Sequence, residues 1–136
     1  MRISRLLFLL LLSSTFFVTS CGDDDDLDPN EALNNRLEGE WDVTSWTIDG
    51  VETIPALINS FTMEFDKEDP NGGETDWTII DRDGDTQRFR GDYEIENAGT
   101  EIDIDGDELD IEIDGDELEL EGTFDGDNWR IRADRD

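Results

Sequence analysis

The chain has 136 residues, 39 acidic and 10 basic, with one cysteine and no histidine, for a formal charge of −29 at pH 7. That balance repels nucleic acid and anionic lipid head groups, and it leaves no imidazole for catalysis and no disulfide within the chain. Hydrophobic residues still make up 35%, placed too regularly for a disordered acidic tail.

The chain opens with Arg2 and Arg5, an unbroken apolar run from Leu6 to Leu12, and Phe16-Phe17-Val18 before a few small residues. This predicts a secretory signal peptide over residues 1–20 rather than a lasting membrane helix. Val18-Thr19-Ser20-Cys21 resembles the bacterial lipobox. The resemblance implies cleavage before Cys21, a thioether-linked diacylglycerol on its sulfur and acylation of the new amino group. Several acyl chains hold a protein stably on a membrane, and the only thiol is thereby consumed. Loss of Arg2 and Arg5 leaves 8 basic against 39 acidic side chains, a formal −31. Residues 21–28 then read as a lipidated acidic tether. Its Gly22-Asp23-Asp24-Asp25-Asp26 run resembles the acidic export signal of Bacteroidetes lipoproteins. That likeness implies a bacterial envelope protein anchored in the outer membrane and displayed on its outer face.

Residues 29–136 are long enough for one domain with one core. Asp28-Pro29-Asn30-Glu31 predicts a helix start, with Leu33 and Leu37 on one face and an end near Gly39. In the first strand Trp41 and Val43 share one parity, Trp46 and Ile48 the other; a bulge near Ser45 brings all four inside. Ile54, Leu57 and Ile58 fall at the spacing of a single helical turn, a lid or a core plug. Phe61 to Phe65 alternates as the second strand. Asp66 to Asp76, with Pro70-Asn71-Gly72-Gly73, predicts a long exposed loop. Trp77 to Ile80 is the third strand. Asp83-Gly84 turns into a fourth from Thr86 to Glu96, with Phe89, Tyr93 and Ile95 inward and Gly91 as a bend. Trp77 and Ile79 meet Phe89 with an odd loop length, Thr78 and Ile80 with an even one, and both registers stay open.

From Ile102 to Arg132 apolar and charged residues alternate with period two, punctuated by three Asp-Gly-Asp tripeptides at 105–107, 114–116 and 125–127. This predicts four strands in an antiparallel meander joined by tight turns. A two-residue loop at Asp125-Gly126 sets Glu121 against Arg130, Leu120 against Ile131 and Glu119 against Arg132. A four-residue loop shifts partners by two and keeps both faces, so both remain open; a slip of one is excluded by the buried face. Asp114-Gly115 as a loop sets Ile111 against Leu118 and Leu109 against Leu120, with Glu112 against Glu117 and Asp110 against Glu119. Asp105-Gly106 sets Ile102 against Leu109 and Glu101 against Asp110. Facing like charges cost roughly 0.2–1 kcal/mol per pair. Each fully buried Leu or Ile returns roughly 1.5–3 kcal/mol, so the sheet stands.

The predicted fold is all-β, an eight-stranded antiparallel up-and-down barrel with a short N-terminal helix. A short helix leading into Gly39-x-Trp41, a strand ending in Asp49-Gly50 and a later meander resemble the lipocalins, and more closely the short lipocalin-like domains of Bacteroidetes lipoproteins. The resemblance implies that Trp41 sits at the closed end of the barrel, with an arginine near the chain end, Arg132 or Arg135, packed across it. It also implies a binding or carrier module.

Four stretches, including those around Asp103, Asp105 and Asp107 and around Asp114 and Asp116, resemble half of a calcium loop. They lack Gly at position six and Glu at twelve, so hairpin turn chemistry explains them better, with weak calcium binding by those carboxylates as the alternative. No phosphate-binding glycine loop occurs, nearly all carboxylates face outward, and neither an enzyme nor a cofactor is expected. The aromatics either fill the core or line an apolar cavity. In the second case Trp46, Phe61, Met63, Phe65, Phe89 and Tyr93 are the candidate lining. The sequence therefore points to an envelope-anchored carrier of a small hydrophobic ligand. The alternative is a non-enzymatic surface accessory protein with a filled core, whose acidic face binds calcium or a basic protein.

Overall fold

The computed structural model describes residues 27–54 and 56–136. The predicted signal peptide, the lipobox with Cys21 and the aspartate run all lie outside them. Helix α1 (Pro29–Leu37) precedes nine strands: β1 (Gly39–Ile48), β2 (Val51–Glu52), β3 (Ile58–Lys67), β4 (Gly72–Asp81), β5 (Thr86–Glu96), β6 (Glu101–Ile104), β7 (Asp107–Asp114), β8 (Glu117–Phe124) and β9 (Asp127–Arg135). Neighbouring strands pair antiparallel in chain order, and β1 pairs with β9 to close the sheet. Eight strands make the barrel wall. The two-residue β2 adds only Thr47↔Glu52 and Ile48↔Val51 to the edge of β1.

Closure follows from the alternation. Leu109, Ile111, Ile113, Leu118, Leu120, Ile131 and Ala133 are buried inside while their neighbours face water. In β1 the register shifts between Val43 and Ser45. That bulge turns Trp41, Val43 and Trp46 all inward, with Ile48 packed against the same core. Asp28 caps α1 by accepting from Asn30 N at 2.9 Å, and Leu33 and Leu37 pack into one end of the barrel.

Each Asp-Gly-Asp closes a hairpin with two residues between strands, but not with the same two. At Asp105-Gly106 and Asp125-Gly126 both central residues have positive φ, as a type I′ turn requires. The middle turn instead uses Gly115-Asp116, with Gly115 alone at positive φ, 61°. The expected register there is therefore corrected by two: Ile111 faces Leu120, Ile113 faces Leu118, and Glu112 faces Glu119. The shift gives Ile113 an apolar partner in place of Asp116. It also sets Leu109 against Gly122, where an added Cβ would meet Leu109 Cδ2 at 2.9 Å.

The long loop expected over Asp66–Asp76 is also corrected. β3 runs on to Lys67 and β4 begins at Gly72, leaving residues 68–71 as the turn. Gly72 and Gly73 serve close backbone approach rather than a loop. A Cβ on Gly73 would stand 1.9 Å from Asp66 O, and one on Gly72 2.3 Å from Tyr93 O. The β4–β5 register takes the odd alternative, Trp77 opposite Phe89 and Ile79 opposite Gln87. The turn at 54–58 is closed by Leu57 N donating to Thr53 O at 2.8 Å. Ile58 is buried by it, Ile54 packs on the core, and Leu57 is left 66% exposed.

Candidate functional site: the two ends of the barrel

Strand direction gives the barrel two unlike ends. One carries α1, the 68–71 turn and the turns at 97–100 and 115–116. Trp41 is fully buried there and donates from Nε1 to Leu37 O at 2.8 Å. Of the two candidate arginines, Arg135 lies over the Trp41 ring, its Cζ 4.3 Å from the ring centroid. Arg135 also donates to Glu38 O at 3.0 Å and to Arg36 O. Arg132 stands on the outer face, paired with Glu119 at 2.9 Å.

Asn34, which the sequence did not single out, is the polar hub of this end. It is fully buried, accepts from Tyr93 OH at 2.7 Å and donates to Asp69 O at 3.0 Å, with Pro70 O and Gly72 O at 3.3 Å. Burial, then the carboxylates of Glu38, Asp66, Asp69 and Glu68, push the Tyr93 phenol well above its ordinary pKa. This end is plugged by the helix, and among the described residues its buried side-chain polar atoms are paired.

The opposite end carries the loops 49–57, 82–85, 105–106 and 125–126. Inside it six aromatic rings form one network. Trp46 meets Phe61 at 5.1 Å and Trp129 at 4.8 Å; Trp77 meets Phe61 at 5.7 Å, Phe89 at 5.0 Å and Phe124 at 5.3 Å. The structure thus brings together three of the expected lining residues, Trp46, Phe61 and Phe89. It sends Phe65 and Tyr93 to the plugged end as a 5.3 Å edge-to-face pair. Met63, fully buried, lies between Trp41 and Trp77 in the register. Trp77, Phe124 and Trp129 complete the cluster. Inward parity is readable for Phe124 and Trp129 and stays open for Trp77 with its register; the strand ends that group the three are not readable from the sequence.

The wall is lower on one side of this end. β6 pairs only with Tyr93–Glu96 of β5, so β5 residues 86–91 run on past the β6–β7 turn. Behind that step Phe89 and Phe124 meet across the short hairpin at 5.9 Å. Gly91 makes room for it, since a Cβ there would lie 2.7 Å from Asp105 Oδ2 and 2.9 Å from Phe89 Cζ. On the 49–57 loop, Val51 and Leu57 are each 66% exposed at the same rim. Glu52 holds the loop onto β1, accepting from Ser45 Oγ at 2.6 Å and from Trp46 N at 2.9 Å. Partial burial pushes its carboxyl up, but the hydrogen bonds from Ser45, Trp46, Ile54 and Thr53 outweigh this and hold it below the usual range.

The candidate calcium carboxylates serve turns. Asp103 accepts from Gly106 N at 2.8 Å, Asp105 from Asp92 N at 3.0 Å and Asp107 from Asp125 N at 3.1 Å. Asp114 faces Glu117 across the hairpin, and Asp116 lies 3.9 Å from Arg135. The carboxylates that do converge are Glu96, Glu101 and Glu108, with oxygens within 4.8 Å of one another. Glu108 is raised above the usual carboxylate range by its hydrogen bond to Glu101, then by the charge of Glu101. A surface cleft of about 360 Å³ lies on the acidic wall, lined by Thr44, Glu112, Asp114, Glu119 and Arg132 among others.

No family model matches the chain, and no curated protein matches it. Solved structures do. A redesigned β-barrel is 17% identical with a TM-score of 0.57, over 76% of this chain and 95% of that one. A second redesigned barrel, solved bound to DFHBI, is 17% identical with a TM-score of 0.54, over 73% of this chain and 98% of that one. A lipocalin lipoprotein affecting virulence in Streptococcus pneumoniae is 15% identical with a TM-score of 0.41, over 71% of this chain and 90% of that one. At these identities the likeness is one of fold: an all-β, eight-stranded antiparallel barrel, with one short helix among the described residues.

Proposed function

We propose that the protein is a non-enzymatic, envelope-anchored binding or carrier module that takes a small hydrophobic ligand at the aromatic end of its barrel. The observation that carries this reading is the difference between the ends. One is plugged by α1 and satisfied in its polar groups; the other gathers six aromatic rings behind a stepped wall and an apolar rim. Convergent aromatic side chains with few polar groups among them are the usual lining of small-ligand sites. A redesigned barrel of like fold was solved with DFHBI bound, which supports the fold's capacity for such a ligand. The lipobox-like Val18-Thr19-Ser20-Cys21 and the aspartate run after it support lipid anchoring at Cys21 in the outer membrane, with display on its outer face.

Native mass spectrometry of protein extracted from the envelope before delipidation tests both halves. The expected result is a chain that begins at Cys21, carries acyl groups, and retains a co-purified apolar molecule of a few hundred daltons. A chain with an unmodified Cys21 overturns the anchor, and an empty chain overturns the carrier.

The directly facing carboxylate pairs Glu112–Glu119, Asp114–Glu117 and Asp103–Glu108 favour a second reading, in which the acidic face takes calcium or a basic protein. A cation would relieve that repulsion. Unchanged thermal stability in millimolar calcium overturns its cation form.

A further inference from the structure

Four tryptophans lie in the barrel, and two of them have a hydrogen-bond partner for the indole N–H. Trp41 Nε1 donates to Leu37 O and Trp77 Nε1 to Thr75 Oγ1, both at 2.8 Å. Trp46 Nε1 and Trp129 Nε1, both at the unplugged end, are the buried side-chain polar atoms left without a hydrogen-bond partner among the described residues. Their rings touch, with centroids 4.8 Å apart and an interplanar angle of 61°. Buried donors are almost always paired, and one left alone costs stability. An apolar ring would pack here without that cost. Two buried indole donors without partners, on rings that touch each other, are what an acceptor-bearing aromatic would complete.

The charge around this end narrows the acceptor. The loops that ring it carry Asp49, Glu52, Asp83, Asp85, Asp105 and Asp125 against a single basic residue, Arg82. An anionic ligand would enter against that field, whereas a neutral carbonyl would not. Resting on the carrier reading above, we infer that the ligand is a flat, uncharged aromatic molecule whose carbonyl-type oxygen accepts from Trp46 Nε1 and Trp129 Nε1.

The test uses two probes of nearly equal shape, 2-acetylnaphthalene and 2-isopropylnaphthalene, titrated into the whole protein and followed by tryptophan fluorescence and by the indole N–H resonances. The ketone is expected to bind about tenfold tighter than the hydrocarbon, the scale of one or two neutral hydrogen bonds to buried donors. Only the ketone should move two of the four indole N–H resonances downfield. Trp46→Phe and Trp129→Phe should each lower the ratio of ketone to hydrocarbon affinity about threefold, whatever the smaller ring does to both affinities together. Equal binding of the two probes, with no downfield shift, overturns the inference and leaves the carrier reading standing; it would mean that the indole protons rest on neighbouring ring faces. Binding of neither probe overturns both. The resonance shifts in the unmutated protein decide the matter even where a variant does not fold.

Discussion

Asn34→Ala is the substitution whose cost the structure fixes most tightly. The side chain is fully buried and joins three elements: α1, the 68–71 turn and β5. Truncation leaves the Tyr93 O–H buried without its 2.7 Å acceptor, a penalty of about 1–3 kcal/mol. The carbonyls of Asp69 and Pro70 are only part-buried and can turn to water, so their loss adds about 1 kcal/mol. The expected total is about 2–4 kcal/mol, or a fall in Tm of roughly 8–16 °C for a domain of this length. Urea denaturation of Asn34→Ala, Tyr93→Phe and the double variant separates the terms. Tyr93→Phe alone strands Asn34 Oδ1 and should cost about 1–2 kcal/mol. The double variant should cost about 1 kcal/mol less than the sum, because each change removes the group that the other strands. A cost for Asn34→Ala below about 0.5 kcal/mol, or strict additivity, would refute the buried hub.

Further predictions concern titration and the acidic wall. Tyr93 is the only tyrosine, so phenolate absorbance reads it alone. With its folded pKa raised by burial and nearby carboxylates, stability should hold up to about pH 10 and fall above it as the unfolded chain ionises first. A folded-state midpoint near 10 would contradict the burial. Glu112→Lys, opposite Glu119, replaces a repelling pair with an attracting one and should stabilise by about 0.2–1 kcal/mol in low salt, an increment that added salt should shrink. Glu108 titrates above the usual carboxylate range because of Glu101. Its contribution therefore favours folding at low pH and is lost as pH rises through the folded midpoint. Carboxyl NMR of Glu101→Gln should show the Glu108 midpoint moving down toward the ordinary value, and an unmoved midpoint would reject the pairing.

The barrel wall was legible because period-two alternation survives any register error of two. Leu109, Ile111, Leu118 and Leu120 were placed inside by parity, and the structure buries all of them. The same tolerance hid the middle register. Asp114-Gly115-Asp116 offers two central pairs, and the choice falls to whether Ile113 meets Leu118 or Asp116, a packing matter that no tripeptide encodes. Gly72-Gly73 misled for a related reason. Glycine marks a turn and a close backbone approach alike, and only the folded neighbour tells them apart: a Cβ on Gly73 would stand 1.9 Å from Asp66 O. Asn34 was silent because a buried amide on a short helix looks like any polar helix residue until Tyr93, 59 residues away, is folded onto it. The candidate site was half readable. Inward parity picked out Trp46, Phe61 and Phe89, but sorting aromatics to one end or the other needs strand lengths, above all the shortness of β6.

The most direct measurement is a map of where an apolar molecule binds, read from side-chain and backbone resonances of the whole protein titrated with 2-isopropylnaphthalene. Saturable shifts should gather at Trp46, Phe61, Trp77, Phe89, Phe124 and Trp129, leaving Trp41 and Asn34 at the helix-plugged end still. Shifts that fail to saturate, or that fall on the acidic outer strands instead, would contradict a ligand site inside this barrel.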